Sequence, residues 1–241
     1  MKETIDERVA KGHGIVTEIL ALLHDIPLGS YRIEMGLQLR QAMLINGLLF
    51  NSEGWQGLFN DDIKALEEVD EHLLRALLQA HAKVPLEFLY LETGSGRINQ
   101  MISSRRMNYL QTILRREEEE LSKIILREQK RNPSPGDFYN LAKDDFGKCG
   151  LLYDEGFILS AGRGYKSYIK KHIRKTEFSE LLNLQKEHSK VRAIKYDKLE
   201  TQAYLKSSMF NDDDVALLAV LRSHTSDATL KISTRTKQNA L

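Results

Sequence analysis

Cysteine is nearly missing from this sequence. Cys149 is the only one in 241 residues, so no disulfide can form within the chain. A single thiol is typical of a reducing compartment. We therefore expect an intracellular protein of the cytoplasm or nucleus.

Long apolar runs are missing as well. The first eight residues have no apolar core of the kind a signal peptide needs. The most apolar stretch, residues 37–50, is interrupted by Gln38, Arg40, Gln41 and Asn46. It is too short and too polar to span a bilayer. The sequence thus predicts no secretion, no transmembrane segment and no membrane partner.

Local signatures of catalysis are also lacking. The seven histidines are scattered, and none forms a pair at helical ligand spacing with a carboxylate or with Cys149. The triplet Gly94-Ser95-Gly96 lacks the third glycine and the preceding strand of a dinucleotide-binding loop. No serine or cysteine has the surroundings of a nucleophile. We predict no catalytic residue, no cofactor, no metal site and no small-molecule substrate.

Paired aspartates occur three times after or beside an aromatic residue. Out of context they resemble the metal-binding Asp-Asp pair of a polymerase palm, which would hold divalent ions for phosphoryl transfer. In a palm such a pair lies between apolar strands, whereas here amphipathic helical patterns surround it. We therefore predict helix caps rather than metal ligands. The pairs are Asp61-Asp62, Asp144-Asp145 and Asp212-Asp213.

Charge is present in balance but is segregated along the chain. The formal net charge is +1. Residues 49–93 contain nine Asp or Glu against three Lys or Arg, while residues 163–198 contain eleven Lys or Arg against four acids. This asymmetry indicates either an anionic partner or two oppositely charged parts that dock on each other.

Apolar residues recur at spacings of three, four and seven, and period-two alternation is almost absent, so we predict an all-α helical bundle. Glycine is frequent in residues 149–164, which we interpret as a loop joining two parts. The expected domains are a helical bundle at 1–136, a short helix and linker at 137–164, and a basic helical region with a polar tail at 165–241. Helices are predicted over 1–24, 31–50, 60–78, 86–92, 94–131, 137–145, 166–184, 185–206 and 215–221.

The stretch 94–131 organises the predicted bundle, and arginines accompany its apolar stripe. Arg105, Arg106, Arg115 and Arg116 fall on the other face of the helix or on its flank. They form either a solvated face of a core helix or a positive ridge that contacts phosphate. The residue types alone do not decide between these interpretations.

A second basic cluster lies within ten residues further along the chain. It comprises Lys166, Lys170, Lys171, Arg174 and Lys175, with tyrosines at 165 and 168. On a helix these side chains form a broad positive patch. Such a patch binds phosphates without reading sequence, and tyrosines can stack on bases. The alternative is a solubilising surface whose tyrosines belong to the core.

Several segments follow one another in a characteristic order. They are residues 39–44 (LRQAML), 51–55 (NSEGW), 66–75 (LEEVDEHLLR), 89–94 (LYLETG), 105–110 (RRMNYL), 129–137 (QKRNPSPGD) and 188–191 (HSKV). Their succession resembles the region after the catalytic palm in reverse transcriptases of animal non-LTR (LINE-like) retrotransposons. The similarity runs from about residue 2 to about residue 230, and it lies in the order of the segments rather than in one sharp motif.

This resemblance implies a helical thumb and connector that cradles an RNA template and the growing duplex. Both basic clusters then become candidate contacts to RNA or to an RNA–DNA hybrid. The fingers, the palm with its metal-binding aspartates, and a following Cys/His-rich knuckle have no counterpart in the sequence. We therefore expect a piece of an RNA-directed DNA polymerase that is not catalytic by itself.

Two other interpretations remain open at this stage. The helical bundle could serve as a protein-interaction scaffold, in which the acidic residues 49–93 dock a basic partner or the basic half of the chain itself. Alternatively, the sequence could be a retroelement remnant that has kept no function.

Overall fold

The protein is mostly helical in the part that the computed structural model describes, which comprises residues 2–27, 29–188 and 194–206. Within these residues there is no β-strand, and the predicted all-α class is confirmed. None of the helices there is long and apolar enough to cross a membrane. The α-helices are α1 (Lys2–Leu22), α2 (Ser30–Leu39), α3 (Asn46–Leu48), α4 (Asn60–Leu78), α5 (Leu86–Thr93), α6 (Ile98–Leu114), α7 (Leu121–Arg131), α8 (Phe138–Lys148), α9 (Glu155–Ser160) and α10 (Tyr165–Glu187).

The helices form two compact units, each assembled from separated stretches of the chain. Unit 1 contains Met1–Asp6, Leu49–Leu66 and Gly96–Glu177, and unit 2 contains Glu7–Leu48, Glu67–Ser95 and Phe178–Leu241. The core of unit 1 is built from apolar side chains of α6, α8 and α10 together with Ile158 of α9. The core of unit 2 centres on α4, α5 and the described residues after 194. The predicted pair of contiguous parts joined by a Gly-rich loop is not confirmed.

The stretch 94–131 is not one helix, as its apolar spacing predicts, but two. Helix α6 ends at Leu114 and α7 begins at Leu121. Four consecutive glutamates at 117–120 occupy the gap, where like charges on a continuous helix would repel one another. The ammonium group of Lys123 donates to the carbonyl oxygen of Leu114 at 2.6 Å, so it satisfies an acceptor that the end of α6 leaves open.

Two further helix predictions require correction. Residues 149–164, predicted as a loop, contain α9, whose first turn is capped by Asp154: its side chain accepts from the backbone N–H of Phe157 at 3.1 Å. Helix α10 ends at Glu187, and residues 194–206 contain only the short 3₁₀ turn Ala203–Leu205, so the predicted helix over 185–206 is wrong in that part. The predicted helix at 215–221 lies outside the described residues.

The C-terminal end of α5 is closed by a segment more than one hundred residues later in the chain. Its C-cap, Gly94, has a left-handed backbone with φ +62. The hydroxyl of Thr201 donates to the carbonyl of Thr93 at 2.7 Å, and the backbone N–H of Gln202 donates to the carbonyl of Glu92 at 2.9 Å. A Cβ at Gly94 would collide with the backbone of Glu200 and Thr201. Glycine is therefore required here both for the backbone angle and for the close approach.

We expect Gly94→Ala to lower the free energy of unfolding by about 2 kcal/mol, because a left-handed alanine and a displaced backbone both cost energy. Gly57→Ala is the matched control, since Gly57 has φ +66 and open space around it. That control should cost only about 1 kcal/mol. Urea unfolding followed by circular dichroism measures both. If both variants lost the same free energy of unfolding, the backbone of residues 200–201 would move away from the new Cβ without an energetic penalty.

Candidate nucleic-acid interface

All of the predicted phosphate-binding residues lie in unit 1, but in very different surroundings. The four arginines belong to α6 and its C-terminal end, and the five other side chains project from α10. Their burial divides them into core residues, partly buried residues that bond to the protein itself, and residues open to solvent. Phosphate can reach only the last group without rearrangement of the fold.

Arg106 is a core residue, with 6% of its surface exposed. Its guanidinium donates to the carboxylate of Asp145 at 2.6 Å and to the carbonyl oxygen of Trp55 at 3.2 Å. The hydroxyl of Ser103 donates to the other oxygen of Asp145 at 2.8 Å. Asp145 thus neutralises the charge of Arg106 inside unit 1. The role of Arg106 is structural, and its guanidinium is not open to a phosphate.

Arg105 is partly buried, and its guanidinium donates to the backbone carbonyl of Leu49. Burial lowers the pKa of this guanidinium, and the nearby carboxylate of Glu53 acts in the opposite direction. Arg105 therefore ties α6 to the chain at residue 49, and its charge is not presented as an open surface group.

Arg115 and Arg116 follow the end of α6. Arg115 is exposed and donates to the carbonyl oxygen of Leu159, at the end of α9, at 3.3 Å. Arg116 is half-buried, donates to the hydroxyl of Ser122 at 3.1 Å and pairs with Glu120 at 3.1 Å. These arginines stabilise the turn between α6 and α7 and its contact with α9. They do not continue a ridge along one straight helix, because that helix ends before them.

Helix α10 presents a different arrangement. Tyr165, Ile169 and Ile173 recur every four residues and are buried in the core of unit 1. The phenol of Tyr165 donates to the carbonyl oxygen of Met107 at 3.3 Å, and burial raises the pKa of that phenol. This buried stripe fixes the rotation of α10. The predicted basic side chains consequently face outward: Lys166, Lys170, Lys171 and Lys175 are exposed, and Arg174 is half-buried.

The lysines in the first two turns of α10 are not neutralised by acidic groups of the described residues. Among the residues that the structure describes, no carboxylate lies within ion-pair distance of Lys166, Lys170 or Lys171. The single acid in the part of α10 that belongs to unit 1 is Glu177, which is 1% exposed and accepts from the backbone N–H of Arg97. Its charge therefore points into the protein.

Arg163 adds to this face, although it is not among the phosphate-binding residues predicted from the sequence. It lies in the 3₁₀ turn Gly162–Gly164 directly before α10, is exposed, and has no carboxylate partner among the described residues. Lys166 follows it three positions later, so Arg163 extends the basic series by one residue toward the N-terminus. The sequence contained a signal for it, because the basic stretch begins at residue 163. We call Arg163, Lys166, Lys170, Lys171 and Lys175 the α10 basic face.

The paired aspartates have separate outcomes. Helix α4 begins at Asn60, and Asp62 accepts from the backbone N–H of Phe59 at 2.9 Å, which confirms the cap prediction for the first pair. The prediction is wrong for the second pair, because Asp145 lies inside α8 and pairs with Arg106. Asp212 and the residue after it lie outside the described residues.

The α10 basic face is suited to binding rather than to bond breaking. Exposed ammonium and guanidinium groups attract phosphate oxygens and carry no reactive lone pair at neutral pH. Across the described ranges, no group of three or more His, Cys, Asp or Glu is arranged to hold a metal ion. The resemblance to LINE-like reverse transcriptases stays a prediction from the sequence. No protein-family model, no curated protein and no solved structure matches this chain.

Proposed function

We propose that this protein binds the phosphate backbone of RNA or of an RNA–DNA hybrid through the α10 basic face. The activity proposed is binding, of the kind expected from the thumb and connector of the retrotransposon reverse transcriptases that the sequence resembles. The observation that carries the proposal is the exposed series at 163, 166, 170 and 171, which lies in the turn before α10 and on α10 and has no carboxylate partner among the described residues.

The contrast with other basic residues strengthens this argument. Several basic side chains elsewhere in unit 1 have carboxylate partners, as Lys130 does with Glu155 at 2.7 Å and Arg131 with Glu128 at 2.9 Å. Lys166, Lys170 and Lys171 lack such partners among the residues described. An unpaired cluster maintains a positive potential that a paired surface does not. That potential is the feature that phosphate binding requires.

The spacing of the lysines also fits an extended polyanion. Lys166 and Lys170 are one helical turn apart, which is about 6 Å along the axis. Lys171 lies on the neighbouring row, so the charges cover a strip rather than a point. Such a strip tracks a backbone and distinguishes little between sequences. The proposed ligand is accordingly defined by its phosphates and not by a base sequence.

Removal of three charges tests the proposal. We expect Lys166→Ala, Lys170→Ala and Lys171→Ala together to lower affinity for a labelled RNA–DNA hybrid on the order of 10-fold to 100-fold at low salt. The slope of log affinity against log salt should fall by about 2 to 3, since each lost phosphate contact removes about one. Fluorescence anisotropy across a salt titration measures both quantities.

The control variant loses the same number of positive charges at positions outside the α10 basic face. Lys11, Lys83 and Lys143 are exposed lysines outside the α10 basic face. Changing all three to alanine should alter the slope little if the proposal is right. Equal losses in the two triple variants, or no binding of the hybrid at the lowest salt, would contradict a site on α10.

A scaffold for protein binding is the second candidate function. It is favoured by two exposed aromatic side chains in residues 49–66, the part of the acidic stretch 49–93 that belongs to unit 1. Phe50 is 58% exposed and Phe59 is 75% exposed. Exposed apolar groups near acids suit a partner with a basic and apolar surface. The apolar contribution to such binding depends weakly on salt, whereas phosphate binding weakens steeply as salt rises, so a salt titration separates the two functions.

A further inference from the structure

Three aromatic rings lie in contact beside the α10 basic face. The ring centroids of Phe157 and Tyr168 are 5.0 Å apart with an angle of 62° between the ring planes. Those of Tyr168 and His172 are 4.1 Å apart at 44°. Tyr168 packs with one side against the core of unit 1, whereas Phe157 is 38% exposed. The cluster therefore contacts the core through Tyr168 and is exposed to solvent at Phe157.

The rings are held in place from both helices that carry them. The ring N–H of His172 at Nδ1 donates to the carbonyl oxygen of Tyr168 at 2.9 Å, since a carbonyl can only accept. On the other side, Asp154 caps α9, and the amide of Gln111 donates to the carbonyl oxygen of Ile158 at 2.8 Å. The rings are therefore arranged before any ligand arrives, which lowers the entropic cost of binding to them.

Basic residues flank these rings on the same row of α10. Tyr168, Lys171, His172 and Lys175 follow the spacing of three, four and seven that places side chains on one helical face. Lys171 and Lys175 are exposed. An aromatic surface that adjoins exposed ammonium groups combines the two interactions that proteins use for single-stranded nucleic acid.

We infer that Phe157, Tyr168 and His172 form a stacking site for an unpaired base whose adjoining phosphates lie on the α10 basic face. The inference rests on the proposed function and names its preferred ligand, a single strand. In a duplex both faces of each base are covered by neighbouring bases, so a protein ring can reach a face only where a base is unpaired. The site therefore prefers a single-stranded RNA to a hybrid of equal length.

Ligands with and without bases test this inference on the unmodified protein. Fluorescence anisotropy should show that a short single-stranded RNA binds about 10-fold to 100-fold more tightly than an abasic strand with the same backbone. The RNA–DNA hybrid should bind more weakly than the single-stranded RNA. Because this comparison needs no substitution, it does not depend on the folding of a variant.

Substitution then locates the effect. Phe157→Ala should weaken binding of the single-stranded RNA about tenfold and leave binding of the abasic strand unchanged. Leu159→Ala is the matched control on the same helix, since Leu159 is 43% exposed and lies outside the ring cluster. It should change neither affinity.

The outcomes separate the two proposals. Equal affinity for the RNA and the abasic strand, or an equal loss of both with Phe157→Ala, would overturn the stacking site and leave phosphate binding intact. Absence of binding to every strand at low salt would overturn both.

Discussion

Asp70→Asn is expected to lower the free energy of unfolding by about 3–5 kcal/mol, because it removes the counterion of a buried guanidinium. Arg40 and Asp70 form a two-pronged ion pair, from Nε to Oδ1 at 2.6 Å and from Nη2 to Oδ2 at 2.6 Å. Their side chains are 4% and 0% exposed. The neutral amide would deprive the buried charge of Arg40 of the Asp70 carboxylate, and the N–H₂ group of the amide would oppose another donor.

Three comparisons make this expectation specific. Tyr90→Phe removes only the hydroxyl that donates to Asp70 at 3.2 Å, and should cost less than about 2 kcal/mol. The combined change Arg40→Met and Asp70→Leu should recover most of the loss, since no charge is then buried alone. Glu128→Gln breaks an exposed ion pair, with side chains 65% and 52% exposed, and should cost under about 0.5 kcal/mol.

Urea unfolding followed by far-ultraviolet circular dichroism provides all of these values. A loss for Asp70→Asn no larger than the loss for Glu128→Gln would mean that water reaches the pair. The buried geometry would then not describe the folded state in solution.

Local patterns were sufficient to predict most of the described helices and every member of the α10 basic face except Arg163. The apolar spacing of Tyr165, Ile169 and Ile173 fixes which side of α10 faces the core, and the lysines between them must therefore face solvent. This arrangement lies within one helix. Neither long-range contacts nor the path of the rest of the chain is needed to derive it.

Long-range pairing was the part that the sequence did not reveal. Arg106 and Asp145 are separated by 39 positions, and the aspartate resembles a helix cap when it is read beside Asp144. A signal for burial was present nevertheless. Arg106 lies four residues after Ile102 and four before Leu110, which are both buried, so its position belongs to the apolar stripe of α6. Arg40 also occupies a position within an apolar stretch. It is buried there because it pairs with Asp70 of α4.

The boundaries of the two units could not be predicted from local sequence patterns either. Each unit collects stretches that are distant in sequence, as Leu49–Leu66 joins Gly96–Glu177 in unit 1. Glycine content and charge vary along the chain and can indicate only contiguous parts. The contacts that define these units arise from side chains whose partners are specified by the fold.

Arg106→Met separates the structural role of this arginine from the phosphate contact that the sequence predicts. We expect the free energy of unfolding to fall by about 3–5 kcal/mol, because Asp145, whose side chain is 1% exposed, would lose its closest cation. Lys148 lies 4.0 Å from the other carboxylate oxygen and is itself 71% exposed, so it compensates poorly. Methionine retains much of the volume, which limits the contribution of a cavity.

Lys170→Met is the matched variant on α10. It should leave the free energy of unfolding within about 0.5 kcal/mol and weaken binding of the RNA–DNA hybrid, since Lys170 is exposed. Arg106→Met should instead lower the free energy of unfolding and leave binding of the RNA–DNA hybrid unchanged, when binding is measured well below the unfolding temperature of the variant. If Arg106→Met instead kept its stability and lost affinity, Arg106 would be a phosphate contact. The pair with Asp145 would then have to open when nucleic acid binds, at the cost of leaving that carboxylate buried alone.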